Sequence, residues 1–173
     1  EYIIGKPTDI PVYVAYGGVD IAIAGKDSQL ESALDQVEMV DLGFGACRFV
    51  VAEREVARRS VGEIYRHLGV IRVATKYPRI TEAHYASRGL QVEIVKLSGN
   101  IELAPLIGLA DQVVDITATG RTLAENRLRI VEEVLSSTAR FVANPASLKT
   151  DSGRVTGIAE ALASAPAREG GRQ

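Results

Sequence analysis

The sequence has few residues able to cross-link a small protein or bind a metal. One cysteine, Cys47, excludes an internal disulfide and a cysteine-built zinc cluster, and it fits a reducing cytoplasm. The two histidines, His67 and His84, fall on separate predicted helices without paired ligand spacing, so surface positions are expected for both and a histidine metal site is not. No apolar run approaches the roughly 18 residues of a membrane span. The opening EYIIGKPTDIP has no basic region followed by an apolar stretch and a cleavage site, so no signal peptide is read there. Neither sign of charge is in excess. With 20 basic against 22 acidic side chains and a formal charge of −2, no global field would gather nucleic acid or hold an anionic membrane. Any anion site must be local.

What remains is the composition of a soluble globular chain: 173 residues, 46% hydrophobic and 24% charged, enough for one ordinary domain or two small lobes. Asp9 as N-cap and Pro11 in the first turn predict a short helix, Ile10 to Tyr16, ended by Gly17 and Gly18. A strand, Val19 to Ala24, and the loop Gly25-Lys26-Asp27 follow. The apolar run Cys47 to Ala52 reads as a second strand. Ser60 and Glu63 form an S-x-x-E capping box for a helix ended by Gly69.

From Val70 onward the alternation is regular. Strand Val70 to Thr75, helix Ile80 to Arg88, strand Val92 to Leu97, helix Ile101 to Ala110 and strand Val113 to Ile116 predict right-handed βαβ units and a parallel sheet covered on both faces. TLAEN reads as one helical turn, LRIVEEVLSSTARFVAN as two strands broken at Ser136-Ser137, and Val155 to Leu162 as a helix before a frayed tail, APAREGGRQ.

The expected organisation is α/β and two-lobed: 1–53 as a first lobe, 54–138 as a second, and 139–173 returning to the first. CRFVVAE and ARFVAN would cross between lobes, with a ligand cleft at their boundary.

The chemistry concentrates in VVDITATGRTL, Val113 to Leu123. An ionised carboxylate offers only acceptors and a ribose diol offers two donors, so Asp115 at a strand's end suits sugar hydroxyls. Thr117, Thr119 and Thr122 add hydroxyls, and Gly120 admits close backbone approach. The N–H groups from Thr119 through Arg121 to Leu123 can ring a phosphate. The same local pattern also fits a capped strand-to-helix turn with no ligand, and these residues alone leave both open.

In its wider context the loop is more specific. VDITATGRTLAEN resembles the phosphoribosyl diphosphate loop of the ATP phosphoribosyltransferases, the family that opens histidine biosynthesis. DIPVYVAYGGVDIAIAGKD, DLGFGACRFVVA, RVATKYP, VEIVKLSGNIELAPLIGLAD and ARFVANPASLK agree with it in order, from about Asp9 to Lys149. The resemblance is to the short form, and it implies a two-lobed fold like that of type II periplasmic binding proteins. It also implies a homo-oligomer working with a separate regulatory subunit similar to a histidyl-tRNA synthetase.

The implied reaction joins N1 of ATP to C1 of phosphoribosyl diphosphate and expels pyrophosphate, with Mg²⁺ bound mainly through the substrate diphosphate. By position, Asp115 would hold the ribose hydroxyls and Thr119, Gly120, Arg121, Thr122 and Leu123 would cup the 5-phosphate. Glu102 would face the same site, positioning the ribose or the metal, or else serve only as a first-turn acid favourable to the helix dipole.

Some residues depart from the family's pattern. Ser98-Gly99-Asn100 stands where Asn-Gly-Ser is usual, Ala118 replaces a hydroxyl or acid, and Asn126-Arg127 stands where Asn-Gly often ends the helix. A left-handed Arg127 would be strained. The family's N-terminal Lys-Gly-Arg loop has no counterpart after Glu1, so a truncated, catalytically weak subunit is one alternative. A small-ligand-binding module is another.

Lys26, Asp27 and Tyr77 are candidate ATP contacts, each equally readable as part of a loop or turn. Lys76 and Arg79, flanking Tyr77, are cations that could meet phosphate. Cys47 is expected as a small core side chain and Arg48 as a partner of an anion or a carboxylate. Arg54, Glu55, Arg58 and Arg59 read as a solvated linker.

Overall fold

The computed structural model describes residues 1–57 and 59–165. Arg58 and most of the APAREGGRQ tail lie outside the described residues, and with them part of the linker reading and the expected fraying. The chain forms two compact units. One comprises Glu1–Ala46 with the chain from Ser137 onward, the other Cys47–Ser136.

The first unit contains helix α1 (Ile10–Ala15), strand β1 (Ile21–Gly25), helix α2 (Lys26–Ser32) and strand β2 (Val37–Asp41). The second carries β3 (Cys47–Arg54), α3 (Val61–Leu68), β4 (Ile71–Thr75), α4 (Pro78–Ala86), β5 (Val92–Lys96), β6 (Gln112–Thr117), α5 (Arg121–Glu125) and β7 (Leu128–Ser137). The chain then returns to the first unit as β8 (Ala139–Ala143), α6 (Pro145–Thr150) and α7 (Ser152–Ser164).

In the first unit β8 is the central strand of three, antiparallel to β1 and β2, so the returning segment completes the sheet. Val14, Ala24 and Val142 form its buried cluster. Asn144 fixes the end of β8. Its Oδ1 accepts the Ala146 and Ser147 amides at 2.8 and 3.1 Å, capping α6, while its Nδ2 donates to the Val14 carbonyl at 2.7 Å. Asp9 occupies the N-cap position of α1 but makes no side-chain capping bond.

The second unit is a five-stranded sheet of order β5-β4-β6-β3-β7. β4 runs parallel to β5 and β6, as the alternation predicts, whereas β3 is antiparallel to β6, which makes the sheet mixed. Both faces are covered. Val50, Ala52, Ala74, Ile101, Val113 and Leu123 pack on one side, and Phe49, Val51, Ile71, Val73, Ile80 and Val114 on the other. Burying each such valine is worth roughly 1.5–3 kcal/mol over leaving it exposed. The Ser60–Glu63 capping box is formed, with Ser60 N–H donating to Glu63 Oε2 at 2.8 Å and Glu63 N–H to Ser60 Oγ at 3.2 Å. Gly69 ends α3 in the left-handed region, as its place in the sequence requires.

Three further expectations fail. The helix expected over Ile101 to Ala110 is a single 3-10 turn at Ile101–Leu103 followed by turns, because Pro105 lacks a donor and Gly108 adopts φ +75°. His84 is buried, not at the surface: its Nε2 lies 3.2 Å from Glu132 Oε2 and its Nδ1 3.2 Å from Arg88, while His67 is exposed as expected. Cys47 is half-buried and outside the core clusters. α2 and β2 have no counterpart in the sequence reading.

Candidate functional site

Parallel strands bring their carboxyl ends to one rim, and the second unit gathers its candidate residues there. Asp115 stands two residues before the end of β6. It follows Val113 by two residues and pairs across to Val50, so it extends the core face that both valines occupy. The 3-10 turn that follows β5 covers that face, with Ile101 and Ala104 buried in the same cluster and Glu102 between them.

Asp115 is half-buried, and its Oδ1 accepts the Ile116 amide at 2.8 Å. Burial pushes its carboxyl above the ordinary value of 3.8. The Ile116 amide and the Lys76 ammonium pull the other way, and the Glu102 carboxylate adds to the rise. Lys76 from the bend after β4 and Glu102 from the 3-10 turn after β5 thus both act on the carboxyl of Asp115 near the end of β6.

The loop behind Asp115 is held by its own hydroxyls. Thr117 Oγ1 accepts the Gly120 amide at 2.7 Å, and Thr119 Oγ1 accepts the Arg121 amide at 3.4 Å. Gly120 takes φ +77° at the start of α5, and a Cβ there would lie 3.0 Å from Ile130 Cδ1, so the position favours glycine twice over. Thr119, Arg121 and Thr122 are exposed. The Leu123 side chain is buried in the core, which leaves only its backbone to meet a ligand. The Thr122 and Leu123 amides belong to the first turn of α5, where a helix leaves its N–H groups without intrahelical acceptors. Arg121 pairs with Glu125 at 2.9 Å on the exposed surface.

The remaining candidates are more committed to structure. Tyr77 is half-buried, packs edge-on against Phe49 with ring centroids 4.7 Å apart, and donates its amide to Thr75 Oγ1. In the first unit, Lys26 pairs with Glu38 at 2.6 Å, and Asp27 Oδ1 accepts the Ser137 hydroxyl at 2.8 Å. Arg48 meets a carboxylate, Glu133, at 3.6 Å. Sequence reasoning singled out Asp115, Glu102 and the loop. It missed that Lys76 lies next to the strand that carries Asp115, which only the strand order reveals.

A family model described as "HisG: ATP phosphoribosyltransferase" matches residues 6–164. The ATP phosphoribosyltransferase of Moorella thermoacetica is 51% identical over 172 residues, covering 98% of this chain and 75% of that protein. That of Geobacter metallireducens is 48% identical over 163 residues, covering 94% and 76%. Among solved structures, the ATP phosphoribosyl transferase (HisG:HisZ) complex from Thermotoga maritima matches with a TM-score of 0.80 and 36% identity over 92% of this chain and 76% of that one. The periplasmic aliphatic sulphonate binding protein SsuA from Escherichia coli matches with a TM-score of 0.58 at 12% identity, covering 90% of this chain and 58% of that one, a likeness of fold alone. The extent of the family match, reinforced by these identities, establishes that the chain belongs to the ATP phosphoribosyltransferase family.

Proposed function

We propose that the rim of the second unit is the phosphoribosyl site of a glycosyl transfer that joins N1 of ATP to C1 of phosphoribosyl diphosphate. The observation that carries this reading is the pairing of Asp115, a half-buried acid at a strand's end, with a hydroxyl-held, glycine-started helix turn directly behind it. Asp115 accepts from the ribose hydroxyls. The 5-phosphate takes the exposed Thr119 and Thr122 hydroxyls and the first amides of α5, displacing Thr117 and Thr119 from the Gly120 and Arg121 amides.

In the reaction the C1–O bond breaks with its electron pair on pyrophosphate, the N1 lone pair forms the C1–N1 bond, and the adenine 6-amino group releases a proton to solvent. No covalent enzyme intermediate is needed. The protein's part is to hold the ribose rigidly at both its hydroxyls and its 5-phosphate, so that the reacting carbon is presented in line.

Glu102 and Asp115 are hard oxygen donors, and Glu102 is close enough to act on the Asp115 carboxyl, which suits Mg²⁺ that completes its shell with substrate diphosphate and water. Bound there, Mg²⁺ would neutralise charge on the departing diphosphate.

For ATP, Tyr77 offers a half-buried aromatic ring in the second unit. In the first unit, Lys26 and Asp27 would have to exchange Glu38 and Ser137 for substrate. Association with further copies and with a separate regulatory subunit is supported by the exposed Leu103, Leu106, Ile107 and Leu109 on one short segment, and the Thermotoga maritima relative is itself a HisG:HisZ complex. A cytoplasmic setting follows from the two substrates. Among the described residues no helix is long and apolar enough to cross a membrane.

Calorimetric titration of phosphoribosyl diphosphate with Mg²⁺ into the intact chain and into Asp115→Ala tests the reading. Binding by the first and loss in the second support it, and equal binding by both overturns it.

A further inference from the structure

We propose that Lys76 is a substrate-binding residue that grips the diphosphate on C1 of phosphoribosyl diphosphate. This inference rests on the reading of the Thr117–Leu123 loop as the 5-phosphate cradle.

Three features of the fold place it. Thr75, the last residue of β4, pairs with Val114 in the parallel register of β4 and β6, so Lys76, in the bend directly after β4, and Asp115, the next residue of β6, both follow that pair at the rim. Ala74 and Val113, two residues before Lys76 and Asp115, pair with each other and pack in one cluster, so Lys76 leaves β4 next to the strand that carries Asp115, near enough for its charge to act on that carboxylate. The turn holding Lys76 is also fixed on both sides. Thr75 Oγ1 accepts the Tyr77 amide at 2.9 Å, the Thr81 hydroxyl donates to the Tyr77 carbonyl at 2.8 Å, and the Tyr77 ring packs on Phe49. A lysine at the tip of such a turn keeps its stem in place while its ammonium searches a small volume.

Of the other cations here, Lys96 ends β5 paired with Thr75 and so belongs to the face opposite Asp115, Arg121 pairs with Glu125, and Arg48 is already committed. Arg48 lies opposite Thr117 on β3, beside the 5-phosphate loop, and its guanidinium pairs with Glu133 at 3.6 Å. Lys76 is exposed and forms no ion pair among the described residues. Its charge acts on Asp115, whose carboxyl it draws down against burial. Arg48 and Lys76 therefore flank Asp115 from neighbouring strands, one near the loop and one away from it.

That asymmetry identifies the ligand group. A ribose on Asp115 with its 5-phosphate in the loop directs C1, across the ring, away from the loop and toward β4. The group on C1 is a diphosphate, and an uncommitted ammonium near the ribose acid is the matching donor. In the reaction Lys76 keeps its proton. It holds the diphosphate in the ground state and meets the charge that collects on pyrophosphate as the C1–O bond breaks.

The test compares two ligands that differ at C1. Ribose 5-phosphate and phosphoribosyl diphosphate are titrated, at one Mg²⁺ concentration, into the full chain, Lys76→Ala and Lys76→Arg, with thermal melting to confirm that the variants fold. Lys76→Ala should weaken phosphoribosyl diphosphate about tenfold or more, the scale of a lost charge-assisted contact. It should leave ribose 5-phosphate within about twofold, because that ligand lacks the diphosphate that Lys76 would grip. Lys76→Arg should restore most of the loss.

Equal weakening of both ligands would mean that Lys76 acts only by keeping Asp115 ionised, and would overturn the proposal while leaving the loop assignment standing. No change in either ligand overturns it as well. Failure of the unaltered chain to bind ribose 5-phosphate or phosphoribosyl diphosphate would instead remove the cradle reading on which the proposal rests.

Discussion

Arg127 adopts φ +56° directly after Asn126, so the left-handed residue that ends α5 is an arginine and not the asparagine beside it. The backbone leaves little choice. The Arg127 amide donates to the Ala124 carbonyl at 2.9 Å, and its carbonyl accepts the Glu55 amide at 3.1 Å, tying the end of α5 to the residue after β3. An L-residue with a Cβ pays about 1–2 kcal/mol for this conformation, and glycine does not. Arg127→Gly should therefore stabilise the chain by roughly 0.5–1 kcal/mol, the gain being reduced by glycine's freedom in the unfolded state. Urea unfolding of both proteins measures it, and a lower midpoint in the variant would show that the guanidinium compensates.

Gly120 presents the converse case. Alanine there meets both a φ of +77° and the Ile130 Cδ1 atom at 3.0 Å, so Gly120→Ala should cost about 1–2 kcal/mol of stability. Ile130 is partly exposed and its terminal methyl can be removed by substitution to valine. Combining Gly120→Ala with Ile130→Val should recover the steric part and leave the conformational part. Ribose 5-phosphate affinity should fall in both variants if the loop cups the phosphate, and unfolding curves with parallel titrations separate the two effects.

The order of β4, α4, β5 and β6 was legible because apolar strand runs and helix punctuation coincide there, and the family blocks fall on the same residues. Other parts carry no such signal. α2 has seven residues and buries Ser28 and Gln29, so it shows no apolar periodicity, and β2 carries a register shift between Glu38 and Val40. The hydrophobic spacing after Asn100 suggested a helix that Pro105 and Gly108 do not allow. His84 finds its partner in Glu132 on β7, 48 residues along the chain, and no local pattern announces that pairing. The nearness of Lys76 to Asp115 likewise exists only because β4 lies between β5 and β6.

Burial makes the ionised Asp115 carboxyl costly to the folded protein. Its folded carboxyl has a raised pKa through burial, so its protonated form is the one favoured on folding. The relative stabilisation is full below the unfolded value and is lost as pH rises through the folded one. Asp115→Asn should accordingly raise the melting temperature at pH 7, with the difference shrinking toward pH 3. It should also weaken phosphoribosyl diphosphate by about 10- to 100-fold, since charge-assisted hydrogen bonds to the ribose are lost. Melting and titration on the same samples check both signs, and a variant less stable than the parent at pH 7 would contradict the assigned cost of burial.

His84 gives a pH dependence of the opposite sign. Its side chain is only 3% exposed, and its pKa is lowered first by burial and then by Arg88, with Glu132 opposing both. Arg88 can only donate to Nδ1, so the neutral ring carries its proton on Nε2 and gives it to Glu132. Tyr85 and Gln112, joined at 2.7 Å, lie beside this cluster. Between the lowered folded pKa and the ordinary 6.5, the unfolded chain binds more protons than the folded one, so stability must fall as pH drops through that window. His84→Gln keeps a donor for Glu132 without titrating. Its melting temperature should be below the parent's at pH 7.5, where a well-packed imidazole is lost, and the gap should narrow steadily below about pH 6.5. A gap that is constant from pH 7.5 to 4.5 would place the imidazole's titration at its solvent value and remove the cost assigned to its burial beside Arg88.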